Sequence, residues 1–149
     1  MSARVAPLRG SSLRNPSPRQ ARVALLGTGV VGSAVWARLA SWSGTPLGER
    51  LSLVHAANSR FAISNREGLT ADTRDLLMRN PPHASSLDAV EGVFTGHGPR
   101  IVIDATASEQ VAERHAHWLA TGTNVATACT LRQGTSLARW PEIPSPQPV

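Results

Sequence analysis

Three glycines at a fixed spacing are the residues of this 149-residue chain that point most directly to chemistry. Gly27, Gly29 and Gly32 follow an apolar run, Val23 to Leu26, and precede a helix-like pattern. In a strand–turn–helix unit the first glycine permits a sharp turn, the second lets the backbone approach a pyrophosphate, and the third lets the helix pack closely on the strand. The helix N-terminus adds free N–H groups and the positive end of its dipole. The pattern predicts a dinucleotide-binding site; the alternative is a purely structural turn.

A second set of candidate residues follows the next predicted strand, residues 51–57. Asn58, Ser59 and Arg60 stand where dinucleotide-binding proteins hold the adenosine ribose. An acidic residue there would bind the 2′-hydroxyl of NAD, whereas an arginine can bind the 2′-phosphate of NADP. Because this strand end has no acid, the sequence favours NADP, with NAD possible. A merely solvated Arg60 is the alternative.

A third set follows the predicted strand 101–105. Thr106 and Ala107 come at its carboxyl end, where open α/β sheets bind ligands, so we expect them beside the cofactor. Ser108 is interpreted as the cap of the next helix. Asp104 is interpreted as a partner for a neighbouring backbone amide. No nucleophile–base pair indicates hydrolase chemistry.

These residues require a scaffold of alternating strands and helices. Strands are predicted at 23–26, 51–57, 101–105 and 124–127. Helices are predicted over 31–41, over 70–79, from a capping box at Ser85 and Asp88, and from Ser108 to a C-cap at Gly122. This alternation predicts an α/β fold, a Rossmann-like βαβ domain with a mostly parallel sheet.

The positive charge of the chain is concentrated at its N-terminus. Residues 1–20 contain four arginines and no acid, against a formal net charge of +5 for the whole chain. This segment is rich in Ser and Pro, so we expect residues 1–20 to form a disordered tail. A transit peptide or a nucleic-acid-binding arm is the alternative, but no cleavage signal or aromatic stacking residue supports either. A Pro-rich tail is also expected at 141–149, which leaves 21–140 as the folded domain.

The remaining composition narrows the class of protein. No apolar stretch approaches the length of a membrane span, so we expect no membrane partner. Cys129 is the only cysteine, which excludes an internal disulfide and fits a cytoplasmic location. The spacing of the five histidines does not predict a metal site. All 15 basic residues are arginines, so no lysine is available for acid–base work.

Several blocks of sequence, in order across residues 21 to 140, resemble one enzyme family. They are Gly27-Thr28-Gly29-Val30-Val31-Gly32, Ala57-Asn58-Ser59-Arg60, Asp104-Ala105-Thr106-Ala107-Ser108 followed by Glu109-Gln110-Val111-Ala112, and Gly122-Thr123-Asn124-Val125-Ala126-Thr127-Ala128. Together they resemble the nucleotide-binding half of homoserine dehydrogenases, including the bifunctional aspartokinase–homoserine dehydrogenases. The resemblance implies use of NAD or NADP to interconvert L-homoserine and L-aspartate 4-semialdehyde, on the route to threonine and methionine.

The resemblance also implies a set of cofactor contacts and two departures. The expected contacts are Gly27, Thr28, Gly29, Val30, Val31, Gly32, Asn58, Ser59, Arg60, Thr106, Ala107, Cys129 and Thr130. Cys129 and Thr130 stand where the family usually carries a lysine near the nicotinamide. The family's substrate and dimerisation domain does not follow in this chain. We therefore expect cofactor binding without catalysis, and no catalytic residue is assigned; a non-catalytic nucleotide-binding fragment or the remnant of a disrupted gene is the alternative.

Overall fold

A computed structural model describes residues 19–73, 75 and 83–128, apart from the side chain of His83. Within these residues six strands form one sheet in the order β4-β3-β2-β1-β5-β6. The strands are β1 (Ala21–Leu26), β2 (Leu51–Ala57), β3 (Phe61–Ser64), β4 (His83–Ala84), β5 (Arg100–Asp104) and β6 (Asn124–Thr127). The predicted tails, residues 1–20 and 141–149, lie outside the described residues except for Arg19 and Gln20.

The central strands run parallel, which confirms the predicted Rossmann-like α/β class. β1 pairs with both β2 and β5, and β5 pairs with β6, all in parallel. The N–H of Gly27 donates to the carbonyl of Ala57, and the N–H of Ala105 donates to that of Leu26, both at 2.8 Å. The carboxyl ends of β1, β2 and β5 are therefore tied together at one edge of the sheet.

Two long helices cover the two faces of this sheet. The helices described in full are α1 (Val30–Ser41), α2 (Pro46–Arg50), α3 (Ala89–Gly92) and α4 (Glu109–Ala120). Val23 and Leu25 of β1 cluster with Trp36 of α1, whereas Ala24 and Leu26 cluster with Val111 and Trp118 of α4. Because both faces are covered, residues 23–26 of β1 form a continuous apolar run rather than an alternating one.

The ends of α4 follow the prediction closely. The hydroxyl of Ser108 accepts from the N–H of Val111 at 3.4 Å, so the predicted N-cap is confirmed. Gly122, just beyond the C-cap residue Thr121, has φ +85°, a conformation that glycine adopts without a steric penalty. The predicted helix over 70–79 lies partly outside the described residues.

The predicted capping box at Ser85 and Asp88 is wrong. The helix in this region is short and begins at Ala89, and the side chain of Asp88 makes no capping hydrogen bond. The carboxylate of Asp88 instead accepts from Arg114 of α4 at 2.6 Å. The N–H of Ser85 donates to the carbonyl of Arg60 at 2.9 Å. In a capping box the Asp88 carboxylate would have accepted from the Ser85 N–H. Each of these two groups instead bonds to a residue distant in sequence.

An antiparallel extension of the sheet is missing from the sequence-based prediction. β3 pairs with β2, and β4 pairs with β3, both antiparallel. The turn between β2 and β3 is made by the side chain of Asn58, which accepts from the N–H groups of Arg60 at 2.8 Å and Phe61 at 2.7 Å. An Asn followed by a short apolar run is a hairpin signal, and it is present in the sequence.

Candidate dinucleotide-binding site

The carboxyl ends of the parallel strands border a cavity of about 780 Å³. Its wall consists of the segments that follow β1, β2 and β5, together with part of the segment before α3 and the first turn of α4. The lining residues are Leu26, Gly27, Thr28, Gly29, Ala57, Asn58, Ser59, Ser85, Leu87, Ala105, Thr106, Ala107, Ser108, Gln110 and Val111. This is the edge at which open α/β sheets bind ligands.

The three glycines of the turn after β1 differ in the space around them. Gly27 has φ +94°, and a Cβ atom there would lie 2.6 Å from the carbonyl oxygen of Ala105. A Cβ atom on Gly32 would overlap the carbonyl oxygen of Gly27. A Cβ atom on Gly29, by contrast, would meet no protein atom within 4 Å. The protein's own packing therefore requires glycine at 27 and 32, whereas the space at 29 remains open beside the cavity.

The first turn of α1 presents backbone N–H groups next to this turn. Gly29 is the N-cap residue and makes no side-chain cap. The N–H groups of Val30, Val31 and Gly32 precede the first residue that has a carbonyl partner inside the helix. The Val30 side chain is 91% exposed and that of Val31 is 51% exposed. Because these side chains are apolar, only their backbone can contribute to binding an anion.

The segment after β2 divides into two parts. Asn58 and Ser59 line the cavity. Arg60 is exposed and does not line it. The Asn58 oxygen is occupied by the turn described above, so its amide NH₂ is the group left to donate to a ligand.

Asp104 organises the loop between β5 and α4. One carboxylate oxygen accepts from the N–H of Thr106 at 2.9 Å and from the Thr106 hydroxyl at 2.6 Å. The hydroxyl oxygen of Thr106 accepts in turn from the N–H of Ser108 at 3.2 Å. The predicted bond from Asp104 to a neighbouring backbone amide is therefore confirmed, and the hydroxyl is a further donor.

The other oxygen of Asp104 faces the helix. It accepts from Nε2 of His115 at 2.7 Å and from the hydroxyl of Thr127 at 3.4 Å. Asp104 is 0% exposed and His115 is 2% exposed. Burial alone raises the pKa of Asp104, but the hydrogen bonds from His115 and Thr106 outweigh it and hold that pKa below its ordinary value. The carboxylate is consequently ionised at neutral pH, and His115 donates to it through an Nε2–H.

Sequence analysis missed several residues of this site. Ser85, Leu87, Gln110 and Val111 line the cavity without having been assigned to it. Gln110 and Val111 belong to the first turn of α4. Their positions two and three residues after the predicted cap Ser108 would have placed them there from the sequence. Ser85 and Leu87 reach the cavity because β3 and β4 extend the sheet, and no local signal marks them. Cys129 and Thr130 lie outside the described residues.

The described lining of the cavity carries no ionisable side chain. The N-termini of α1 and α4 bring the positive ends of their helix dipoles to its border. Among the residues described, no group of three His, Cys, Asp or Glu side chains could hold a metal ion. No helix in the described part of the chain is long and apolar enough to cross a membrane.

Comparison with known proteins identifies the family. The family model described as "Homoserine dehydrogenase, NAD binding domain" matches residues 27–131, more than half of the chain. The chain belongs to this family. It is a homoserine dehydrogenase NAD-binding domain, and its cofactor class is the nicotinamide dinucleotides. The open space at Gly29 and the N–H groups in the first turn of α1 fit such a group. No curated protein is significantly similar to the chain in sequence.

Two solved structures share the fold of this homoserine dehydrogenase NAD-binding domain. A protein of unknown function from Candida auris matches 83% of the chain with a TM-score of 0.67 and 24% identity. A homoserine dehydrogenase from Thermoplasma acidophilum matches 75% of the chain with a TM-score of 0.58 and 21% identity. The match covers 35% of the first protein and 36% of the second, so this chain spans about a third of their length.

Proposed function

We propose that the chain binds NADP in preference to NAD, in the cavity at the carboxyl ends of β1, β2 and β5. The observation that supports binding of a dinucleotide most strongly is the turn from Gly27 to Gly32, which leaves Gly29 open beside the cavity and directly before the N-terminus of α1. The proposed preference for NADP rests on Arg60 and on the lack of an acidic residue at 58–60. We further propose a cytoplasmic role in threonine and methionine biosynthesis, in which the family interconverts L-homoserine and L-aspartate 4-semialdehyde.

Each side of the cavity has a proposed role in holding the dinucleotide. The backbone from Gly27 to Gly32, including Thr28, Val30 and Val31, holds the pyrophosphate. Asn58 and Ser59 bind the adenosine ribose, and Arg60 binds the 2′-phosphate. Thr106, Ala107, Cys129 and Thr130 border the nicotinamide. When bound, the cofactor supplies or accepts the hydride.

We infer that this chain holds the cofactor without supplying the acid–base group of the reaction. Moving a proton to or from the homoserine hydroxyl needs a positioned titratable group within hydrogen-bond reach. None of the described residues that line the cavity is titratable, and the chain has no lysine. The same observation favours the second candidate function, a nucleotide-binding module without catalysis of its own.

Calorimetric titration of the full chain with NADPH and with NADH tests the proposed cofactor. Saturable binding of both, with the smaller dissociation constant for NADPH, is expected. Equal dissociation constants would remove the preference for NADP. The absence of heat with either dinucleotide, in a sample that unfolds cooperatively, would remove the proposed binding function.

A further inference from the structure

A single buried carboxylate connects the wall of the cavity to the helix behind it. Asp104 has one oxygen bonded to Thr106 and the other to His115. Thr106 and Ser108 belong to the loop, whereas His115 lies two turns into α4. The carboxylate therefore links the loop after β5 to the second turn of α4.

The loop that Asp104 holds, residues 105–108, forms part of the cavity wall, whereas Asp104 itself does not line the cavity. Ala105, Thr106, Ala107 and Ser108 all line the cavity, and Asp104 is completely buried behind them. The carbonyl of Ala105 and the methyl group of Thr106 also limit the space at Gly27, since a Cβ atom there would lie 2.6 Å and 3.2 Å from them. The position of this loop thus sets the width of the cavity beside the glycine turn.

The hydroxyl of Thr106 is already engaged within the protein. It donates its hydrogen to Asp104 and accepts the N–H of Ser108. A hydroxyl has one hydrogen to donate, so Thr106 has none left for a ligand. Thr106 therefore contributes to the cavity through its fixed position more than through a hydrogen bond that it could donate.

We propose that Asp104 is a positioning residue for dinucleotide binding, acting through the Thr106 hydroxyl and N–H to hold residues 105–108 at the width the cofactor requires. The proposal rests on the proposed function, because it concerns affinity for the same dinucleotide. The buried carboxylate does not line the cavity and so acts on a ligand only through the loop. Its effect on affinity must therefore be smaller when the Thr106 hydroxyl is absent, because only the bond from the Thr106 N–H then connects it to the loop.

A double-mutant cycle in the full chain tests this dependence. Asp104→Ala and Thr106→Val are each expected to weaken NADPH binding at least about tenfold, and the loss in the double variant is expected to be clearly smaller than the product of the two single losses. Thr106→Ser keeps the hydroxyl, so it should bind NADPH within about threefold of the unchanged chain. Losses that multiply in the double variant would overturn the proposal, because Asp104 would then act independently of Thr106.

A matched control separates positioning from a general loss of stability. Ser64→Ala removes a hydrogen bond of 2.7 Å to the buried His55, at a place that does not line the cavity. This variant is expected to lower the melting temperature and to leave the NADPH affinity unchanged. If it weakens binding as much as Thr106→Val does, the effect of the cavity loop is not specific and the proposal fails.

Amide hydrogen exchange without any dinucleotide decides the proposal independently of the proposed function. In Thr106→Val the amides of residues 105–108 should exchange at least about tenfold faster than in the unchanged chain, while those of β1 remain unchanged. Unchanged exchange at 105–108 would overturn the positioning role, even if NADPH binds. Faster exchange in a chain that binds neither dinucleotide would support the positioning role and refute the proposed function. If Asp104→Ala does not fold, exchange and affinity in the Thr106→Val and Thr106→Ser pair decide the outcome.

Discussion

The carbonyl oxygen of Gly27 occupies the place that a Cβ atom on Gly32 would need. The close approach of α1 to the turn after β1 therefore depends on glycine at position 32. Gly29, between them, has no such neighbour, since a Cβ atom there would meet nothing within 4 Å. The fold thus requires glycine at position 32, whereas the space at Gly29 is open toward the cavity.

This difference predicts that two alanine substitutions destabilise the protein to different extents. Gly32→Ala should lower the free energy of unfolding by about 2 kcal/mol or more, because backbone atoms must move apart. Gly29→Ala should lower it by less than about 1 kcal/mol, the scale of a change at an N-cap. Urea denaturation measures both. Equal losses of stability would show that the open space at Gly29 is absent in solution.

Arg60 is expected to carry part of the preference for NADPH. Arg60→Ala should reduce the ratio of NADH to NADPH dissociation constants by roughly fivefold, mainly through weaker NADPH binding, because an exposed ion pair has modest strength. Arg38→Ala is the matched control, since Arg38 is an exposed arginine in the last turn of α1. An unchanged ratio in Arg60→Ala, measured by calorimetry, would exclude Arg60 from the site.

The buried imidazole of His55 makes the free energy of unfolding depend on pH. Burial lowers the pKa of His55 from 6.5 to about 4. Between these two values the unfolded chain binds a proton that the folded chain does not, so the free energy of unfolding falls as the pH falls from 6.5 to 4. The loss due to this group is about 3 kcal/mol.

A variant isolates this contribution of His55 from those of the other titratable groups. His55→Gln should flatten the dependence between pH 4 and 6.5, as measured by urea denaturation at several pH values. An equally steep dependence in the variant would contradict the assignment. Below about pH 4 a second loss is expected in both proteins, because the folded-state pKa of Asp104 is depressed and its protonation is then favoured in the unfolded chain.

The chain is expected to show no homoserine-dependent formation of NADPH. The described lining of the cavity offers no titratable side chain for the proton transfer. Thr130→Lys should not restore turnover, since a single lysine does not hold homoserine against the nicotinamide. A complete homoserine dehydrogenase serves as the positive control in a spectrophotometric assay. Turnover above the rate without enzyme would contradict the inference.

The sequence allowed the parallel part of the fold to be predicted because its signals are local. The apolar run before Gly27, the cap at Ser108 and the φ of Gly122 all follow from neighbouring residues. The capping box at Ser85 was wrong because a distant residue, Arg114, takes the carboxylate that the box required. Local spacing cannot reveal such a competing partner.

The interior of the site could be predicted only in part for the same reason. Asp104 and His115 are 11 residues apart and meet because α4 packs on β5. His115 is buried, and its bond to Asp104 depends on tertiary structure rather than on local sequence. Arg60 follows the expected strand yet lies in solvent outside the cavity wall, since Asn58 turns the chain into β3.

Mapping NADP binding by amide chemical shifts in the isotopically labelled full chain tests the central claim most directly. The largest shifts are expected at Gly27, Gly29, Gly32 and Thr106, around the cavity at the carboxyl ends of the strands. Shifts confined to the separate cavity of about 400 Å³ lined by Trp36 and Trp42 would contradict it. So would a spectrum of the folded chain that saturating NADP and NAD both leave unchanged.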